Sequence, residues 1–341
     1  MKMTETVDGV EVPAGPAAKS GSTGTGLRAR GARAALQSVG IGLFFVVVCL
    51  YFSSRSDTFL TVSNIAGIAA IAAPLGIVAI GQTIAIVSGG FDLSVGGALP
   101  LGAVTFGIAA DSMSFVPATL VAAAVGGGVG LLNGVIVEKL RINPFICTLA
   151  TLSVTGGAAF VLTNGQTKEL PTDAGFWGDR IVGDLQYCVI AFAVVALAVL
   201  VLLRYSRLGR AIYAIGGNRE AAELAGIRCS AIVQGVYVSS GVFAGFAGAV
   251  TASQLLAAAP SVGSNAALGS ISAVIVGGAA LTGGSGGVVG TVLGILLLGS
   301  ISNGLTILQV NSYYQTIWTG IILLVAVAFG RVREVLLRKI L

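Results

Sequence analysis

The 341-residue chain contains no histidine. That absence removes Ser-His-Asp and Cys-His catalysis and every histidine-based metal site. Charge is scarce as well. Only 10% of the residues are charged, against about 25% in a soluble domain. Cysteine is limited to Cys49, Cys147, Cys188 and Cys229, widely spaced in or beside apolar stretches and with no CxxC pair. They read as small hydrophobes rather than as disulfides or ligands, so no metal site is expected. No GxxxxGK(S/T) stretch occurs, so the chain does not hydrolyse ATP by that motif. Paired carboxylates are missing from the apolar stretches, and without them nothing suggests reaction chemistry; the chain reads as no enzyme.

What is abundant is apolar sequence and glycine. Hydrophobic residues make up 55% of the chain, and its 50 glycines are about twice the usual share. This composition suits spanning helices packed backbone to backbone. Residues 1–33 are rich in Gly, Ala, Ser and Thr without apolar period, and predict a disordered tail that is no signal peptide. The remainder, 34–341, predicts one transmembrane domain. Its apolar runs fall near 36–52, 62–88, 94–110, 116–137, 145–162, 187–203, 231–256, 269–281, 287–308 and 312–330. A straight helix needs about 20 residues to cross the hydrocarbon. The run at 62–88 is too long and that at 269–281 too short. An interruption is therefore expected near Pro74 and another around 277–286. The fold class is all-α: a polytopic integral membrane protein of about ten helices with broken or re-entrant segments.

Charge sets the expected orientation. Ten crossings with both termini inside leave only Arg55, Lys168 and Arg180, of 19 Lys and Arg, on the outer side. The pI near 9.2 then reflects orientation in lipid rather than nucleic-acid binding. Two glycine ladders, Gly126–Gly130–Gly134 and Gly286–Gly290–Gly294, place close helix contacts at four-residue spacing. They also raise an inverted repeat, of the kind found in transporters, against chance in glycine-rich helices.

Within this apolar sequence, IVSGGFDLSVGG (residues 86–97) carries one carboxylate. Asp92 has three readings. Either it or Ser94 caps a helix starting at Leu93 or Val95, or it binds a substrate hydroxyl, or it couples protons. Asn64, Gln82, Asn133, Asn143, Thr151, Asn164 and Asn303 are further polar residues in or near spans. With Asp92 and Ser94, they are either pathway groups or bonded to a neighbouring helix backbone. A second polar stretch, residues 204–230, contains NREAAELAGI. Asn218 caps it, Arg219 to Ala225 favour helix, and Gly226 ends it. That helix of about two turns is too short to stand alone and needs a docking surface; it is otherwise a plain surface helix.

These stretches together resemble a family. GGFDLSVGG, LRINPFICTLATLSVTGGAAFVLTNGQ, GRAIYAIGGNREAAELAGI and AVIVGGAALTGGSGGVVGTVLG occur in the order found in ribose-type permeases of bacterial ATP-binding-cassette (ABC) importers. The likeness spans about 40–330. It implies a type II importer-like fold in the bacterial inner membrane. Two permease subunits, most simply a homodimer, would form the pathway. Cytoplasmic ATPase subunits would bind the ATP, so the permease needs no cofactor of its own, and an extracytoplasmic binding protein would deliver a monosaccharide or polyol. Arg210, Asn218, Arg219, Glu220, Ala221, Ala222, Glu223, Leu224 and Gly226 would couple to the ATPase. Ala221, Ala222, Leu224 and Ala225 would pack, with Arg219, Glu220 and Glu223 at the rim. The 163–186 loop, with Arg55, Lys168, Arg180 and Trp177, is the expected platform for the binding protein, or else a plug over the outer mouth. The alternatives are a secondary transporter of a small polar solute and a permease for branched-chain amino acids.

Overall fold

The computed structural model describes residues 41–311 together with 314, 317, 318, 320 and 321. The expected amino-terminal tail, most of the last apolar run and the tail at 331–341 lie outside the described residues. Six described helices are long and apolar enough to cross a membrane. They are α2 (Val62–Val87), α4 (Phe115–Lys139), α5 (Pro144–Thr163), α6 (Tyr187–Tyr205), α9 (Cys229–Leu255) and α11 (Val288–Ile307). Three apolar helices are shorter: α1 (Ile41–Arg55), α3 (Val95–Ala109) and α10 (Ala266–Val276). Two more, α7 (Arg207–Gly217) and α8 (Arg219–Leu224), lie between α6 and α9.

The long helix α9 is central, packed on α2, α3 and α4. Its seam with α4 explains the first glycine ladder. A Cβ on Gly126 would strike the carbonyl of Gly241, one on Gly130 the carbonyl of Tyr237, and one on Gly134 the Cα of Gln234. Lipid supplies no hydrophobic drive between helices, so backbone approach of this kind holds them together. The second ladder works differently. Gly290 and Gly294 seat the backbone of α10 at Gly277 and Ala273, but Gly286 sits in the preceding loop at φ 128°.

The expected interruption at Pro74 does not occur; α2 runs unbroken for 26 residues. Proline removes the N–H that would bond the carbonyl of Ala70. Gln254 of α9 supplies the missing donor, its Nε2 lying 3.0 Å from that carbonyl oxygen. The freed acceptor is satisfied from the neighbouring helix, which lets proline remain within a span.

The other expected break, around 277–286, is present: α10 ends at Val276 and α11 starts at Val288. Helix α3 has 15 residues and α10 has 11. At 1.5 Å per residue they rise about 22 and 16 Å, short of the ~30 Å of hydrocarbon. Their first turns meet: a Cβ on Gly96 would lie 3.1 Å from that of Ala267. The loop 277–287 after α10 turns back at the end of the bundle that carries α7. There Gly284 N–H donates to Val87 (2.9 Å) and the Tyr213 hydroxyl donates to Gly286 (2.8 Å). At the opposite end, β1 (Lys168–Glu169) pairs with β4 (Ala257–Ala258), and β2 (Arg180–Val182) with β3 (Leu185–Gln186). Between them a 3-10 helix, η1 (Thr172–Gly178), packs on α9.

Candidate functional site

Two features stand out: a buried polar cluster at the start of α3 and the charged α7–α8 segment. The cluster begins where Tyr237 reaches the carbonyl of Phe91 (3.4 Å) and the chain turns into α3. Asp92 Oδ1 accepts from the Ser94 amide (3.0 Å) and from the Ser94 hydroxyl (2.5 Å). Asn133 of α4 donates to that hydroxyl at 2.8 Å. The Asn133 carbonyl oxygen in turn accepts from Thr151 (2.7 Å) and from the Cys147 thiol (3.6 Å), both on α5. Asp92, Ser94, Asn133 and Ser240 are fully buried. The Ser240 hydroxyl faces the carboxylate, yet neither it nor Asp92 Oδ2 has a partner of good geometry among the described residues.

Asp92 thus holds the amide of the residue that opens α3, close to its expected capping role. Of the two residues considered for the cap, Asp92 takes the role and Ser94 does not. The Ser94 side chain makes no cap and points its proton into Asp92.

The other polar residues separate. Asn64 and Asn303 form a reciprocal amide pair, both contacts 3.0 Å, joining the start of α2 to the end of α11. Gln82 is fully buried with neither amide atom partnered among the described residues. Asn143 caps α5 through Phe145 N–H (2.9 Å), and Asn164 ends that helix in the left-handed region at φ 52°. Cys49, Cys147, Cys188 and Cys229 are all free thiols.

In the second feature, Asn218 accepts from Ala221 N–H (3.0 Å) and Gly226 terminates the turn at φ 79°, both as expected. Helix α7 was not anticipated, although its signal lies in the sequence. Ser206 caps it, and Gly209, Ile212 and Ile215 form its buried stripe. Arg210 is exposed on it. Of the four residues expected to pack, only Ala222 is buried, against Ile215, Val233 and Cys229; Ala221, Leu224 and Ala225 are exposed. Glu220 is exposed too.

Arg219 is not merely at the rim. Its guanidinium binds both oxygens of Glu138 at the foot of α4 (2.8 and 2.7 Å) and Glu223 at 3.0 Å. The hydrogen bonds to Glu138 hold it charged above the usual arginine range. The Glu138 side chain is 1% exposed, and the sequence reading did not single it out. No group of three metal-ligating side chains exists among the described residues.

At the opposite end, Lys168 pairs with Asp111 and Arg180 with Asp184, each at 2.7 Å, while Arg55 is exposed. Trp177 packs edge-on against Phe115, Phe176 and Phe246 and donates to Thr119 (3.1 Å).

Comparison with known proteins places this architecture. Residues 64–327 match the family model of the branched-chain amino acid transport system permease component. The ribose import permease protein RbsC of Escherichia coli strain K12 is 37% identical over 293 residues, covering 83% of this chain and 90% of that protein. The D-allose transport system permease protein AlsC of the same strain is 35% identical, covering 85% of this chain and 91% of that protein. The L-arabinose permease protein AraH of Azospirillum brasilense is 34% identical, covering 86% and 88%. No solved structure matches. With most of its length shared with these transporters and its helices apolar enough to span, the chain belongs to the family of sugar ABC importer permeases.

Proposed function

We propose that the chain is the membrane permease of a binding-protein-dependent importer for a monosaccharide or related polyol, driven by a separate ATPase chain. The observation that carries this reading is α8. Six residues are too few for a stable free helix. This one is rooted in the bundle by Ala222 and by the Arg219–Glu138 pair, yet Leu224 stands 91% exposed. An apolar tip on a rooted lever suits a partner that pushes on the transmembrane helices. In this reading the α7–α8 end faces the cytoplasm, and Arg55, Lys168 and Arg180 face the binding protein. Two permease copies present two such levers to two ATPase domains. Asp92, Ser94, Asn133 and Thr151 offer hydroxyl-compatible groups beside the broken helix α3, as sugar passage requires. The relatives named for ribose, allose and arabinose support a monosaccharide.

Uptake of labelled ribose, allose and arabinose into proteoliposomes carrying the permease, its ATPase and its binding protein tests the proposal. Uptake should require all three proteins and ATP. Uptake driven by an ion gradient without ATP would establish a secondary transporter. Because the matching family model is named for branched-chain amino acids, labelled leucine is the competing substrate. Uptake of leucine and of none of the sugars overturns the sugar assignment.

A further inference from the structure

A cavity of about 370 Å³ opens between α6, α7 and the start of α11. Leu200, Leu203 and Val288 form its apolar wall, and Arg204, Arg210 and Tyr213 its polar side. No acidic residue lines it, and neither arginine is in an ion pair among the described residues. Gly287 also lines the cavity and opens α11 without a side-chain cap. The amides of Val288, Val289 and Gly290 have no acceptor among the described residues. Two unpaired cations and free amides at a helix start call for an anion.

The surroundings say which anion. Above the cavity, α6 exposes Val194, Leu197 and Val201, the flank an acyl chain would cover. Below it, α7 buries one stripe and exposes Arg207, Leu208 and Arg210, the pattern of a helix lying along a membrane surface.

We propose that this cavity binds the phosphate of an anionic phospholipid headgroup, with Arg204 and Arg210 as counter-ions and the first amides of α11 as further donors. A free phosphate offers the same oxygens but no chain for the α6 flank. The site bridges α6 and α11 to the helix that precedes α8, so an occupying lipid would brace the coupling segment. The assignment is independent of the solute carried and of its energy source.

The permease in nanodiscs of phosphatidylcholine, alone or mixed with phosphatidylglycerol, tests the site by native mass spectrometry of retained lipid and by thermal unfolding. The wild type should retain phosphatidylglycerol preferentially and unfold at a higher temperature with it. In R204Q/R210Q the preference should fall by roughly thirtyfold, the size expected for two basic side chains at a headgroup. R204K/R210K keeps the charge and should keep most of the preference. Arg207→Gln, on the same helix but off the cavity, should leave it unchanged. Equal retention of the two lipids by the wild type, or an unaltered preference in a folded R204Q/R210Q, would overturn the site. If inorganic phosphate in phosphatidylcholine discs reproduces the gain in unfolding temperature, the ligand is a soluble anion and the lipid assignment fails.

Discussion

A carboxylate buried away from water is costly unless hydrogen-bonded, so Asp92, which is fully buried, must be compensated by its neighbours. Ser94 gives it two donors, and Asn133 holds Ser94 in the orientation that does so. Asp92→Ala leaves a buried amide and a buried hydroxyl facing nothing, at a cost of about 1–3 kcal/mol. Asp92→Asn keeps an acceptor oxygen and should retain most of that stability. Thermal midpoints in detergent measure the difference, and sugar uptake sorts the roles. If Asp92 only supports the start of α3, D92N transports normally; a normal midpoint with lost uptake would assign the residue to the pathway. The Arg219–Glu138 pair is asymmetric in the same sense. Arg219 is 47% exposed but its partner only 1%, so Arg219→Ala strands a buried carboxylate whereas Glu138→Gln leaves a cation that reaches water and still holds Glu223. Arg219→Ala should therefore be the more destabilising change, by about 1–2 kcal/mol once solvent screening of the exposed partner is allowed for. Equal losses in the two variants would mean that Glu138 finds another partner.

Helix α2 shows how an element escapes a rule that holds for a helix in isolation. The overlong 62–88 run forecast a break near Pro74, where the helix lacks a donor for the Ala70 carbonyl. The substitute is Gln254, 180 residues away on α9, and that contact exists only after the helices have packed. Gln254→Leu should destabilise the bundle by about 1–3 kcal/mol, since it leaves the Ala70 carbonyl only the long, weak contact from the Cys188 thiol at 3.9 Å. Adding Pro74→Ala restores an N–H to that carbonyl, so the double variant should be more stable than Q254L alone. No recovery would show that Gln254 matters chiefly through Gln186 and Cys188, which its amide also touches. Features set by local chemistry were legible: the Asn218 cap, the Gly226 stop, the short 269–281 run and the first glycine ladder. The gathering of Asp92, Ser94, Asn133 and Thr151 into one cluster, and the separation of Asn64, Asn303 and Asn143 from it, depend on how helices rotate against each other. Alternation of residue types does not encode that rotation. The ladder itself yields a contrast within α4. A Cβ at Gly130 meets the Tyr237 carbonyl, whereas one at Gly128 meets nothing within 4 Å. Gly130→Ala should prevent correct packing of α9, while Gly128→Ala should be neutral or stabilising by up to about 1 kcal/mol.

At the scale of the molecule, the functional reading depends on one mechanical link across the chain: partner to α8, α8 to α4, and α4 through its seam to α9 and the cluster at Asp92. The link also requires α8 and η1 to face opposite sides of the membrane. Single cysteines at Thr172 and Asn218 should therefore react with impermeant reagents from opposite sides, and reaction of both from one side would break the topology. The link has two separable parts, a hook and a root. Leu224 is the hook. Being exposed, its truncation to Ala should change the permease's own stability by no more than about 0.5 kcal/mol. If an ATPase buries it, the same truncation removes roughly 2 kcal/mol of apolar contact, a loss of more than tenfold in affinity. Arg219 is the root. Cutting it should leave Leu224 available for docking but detach α8 from α4. Leu224→Ala is therefore expected to weaken co-purification with the ATPase. Arg219→Ala is expected to keep the ATPase bound while hydrolysis no longer responds to sugar-loaded binding protein. Normal assembly and normal stimulated hydrolysis in Leu224→Ala would make α8 a plain surface helix, and transport would then have to draw its energy from something other than a partner seated on that segment.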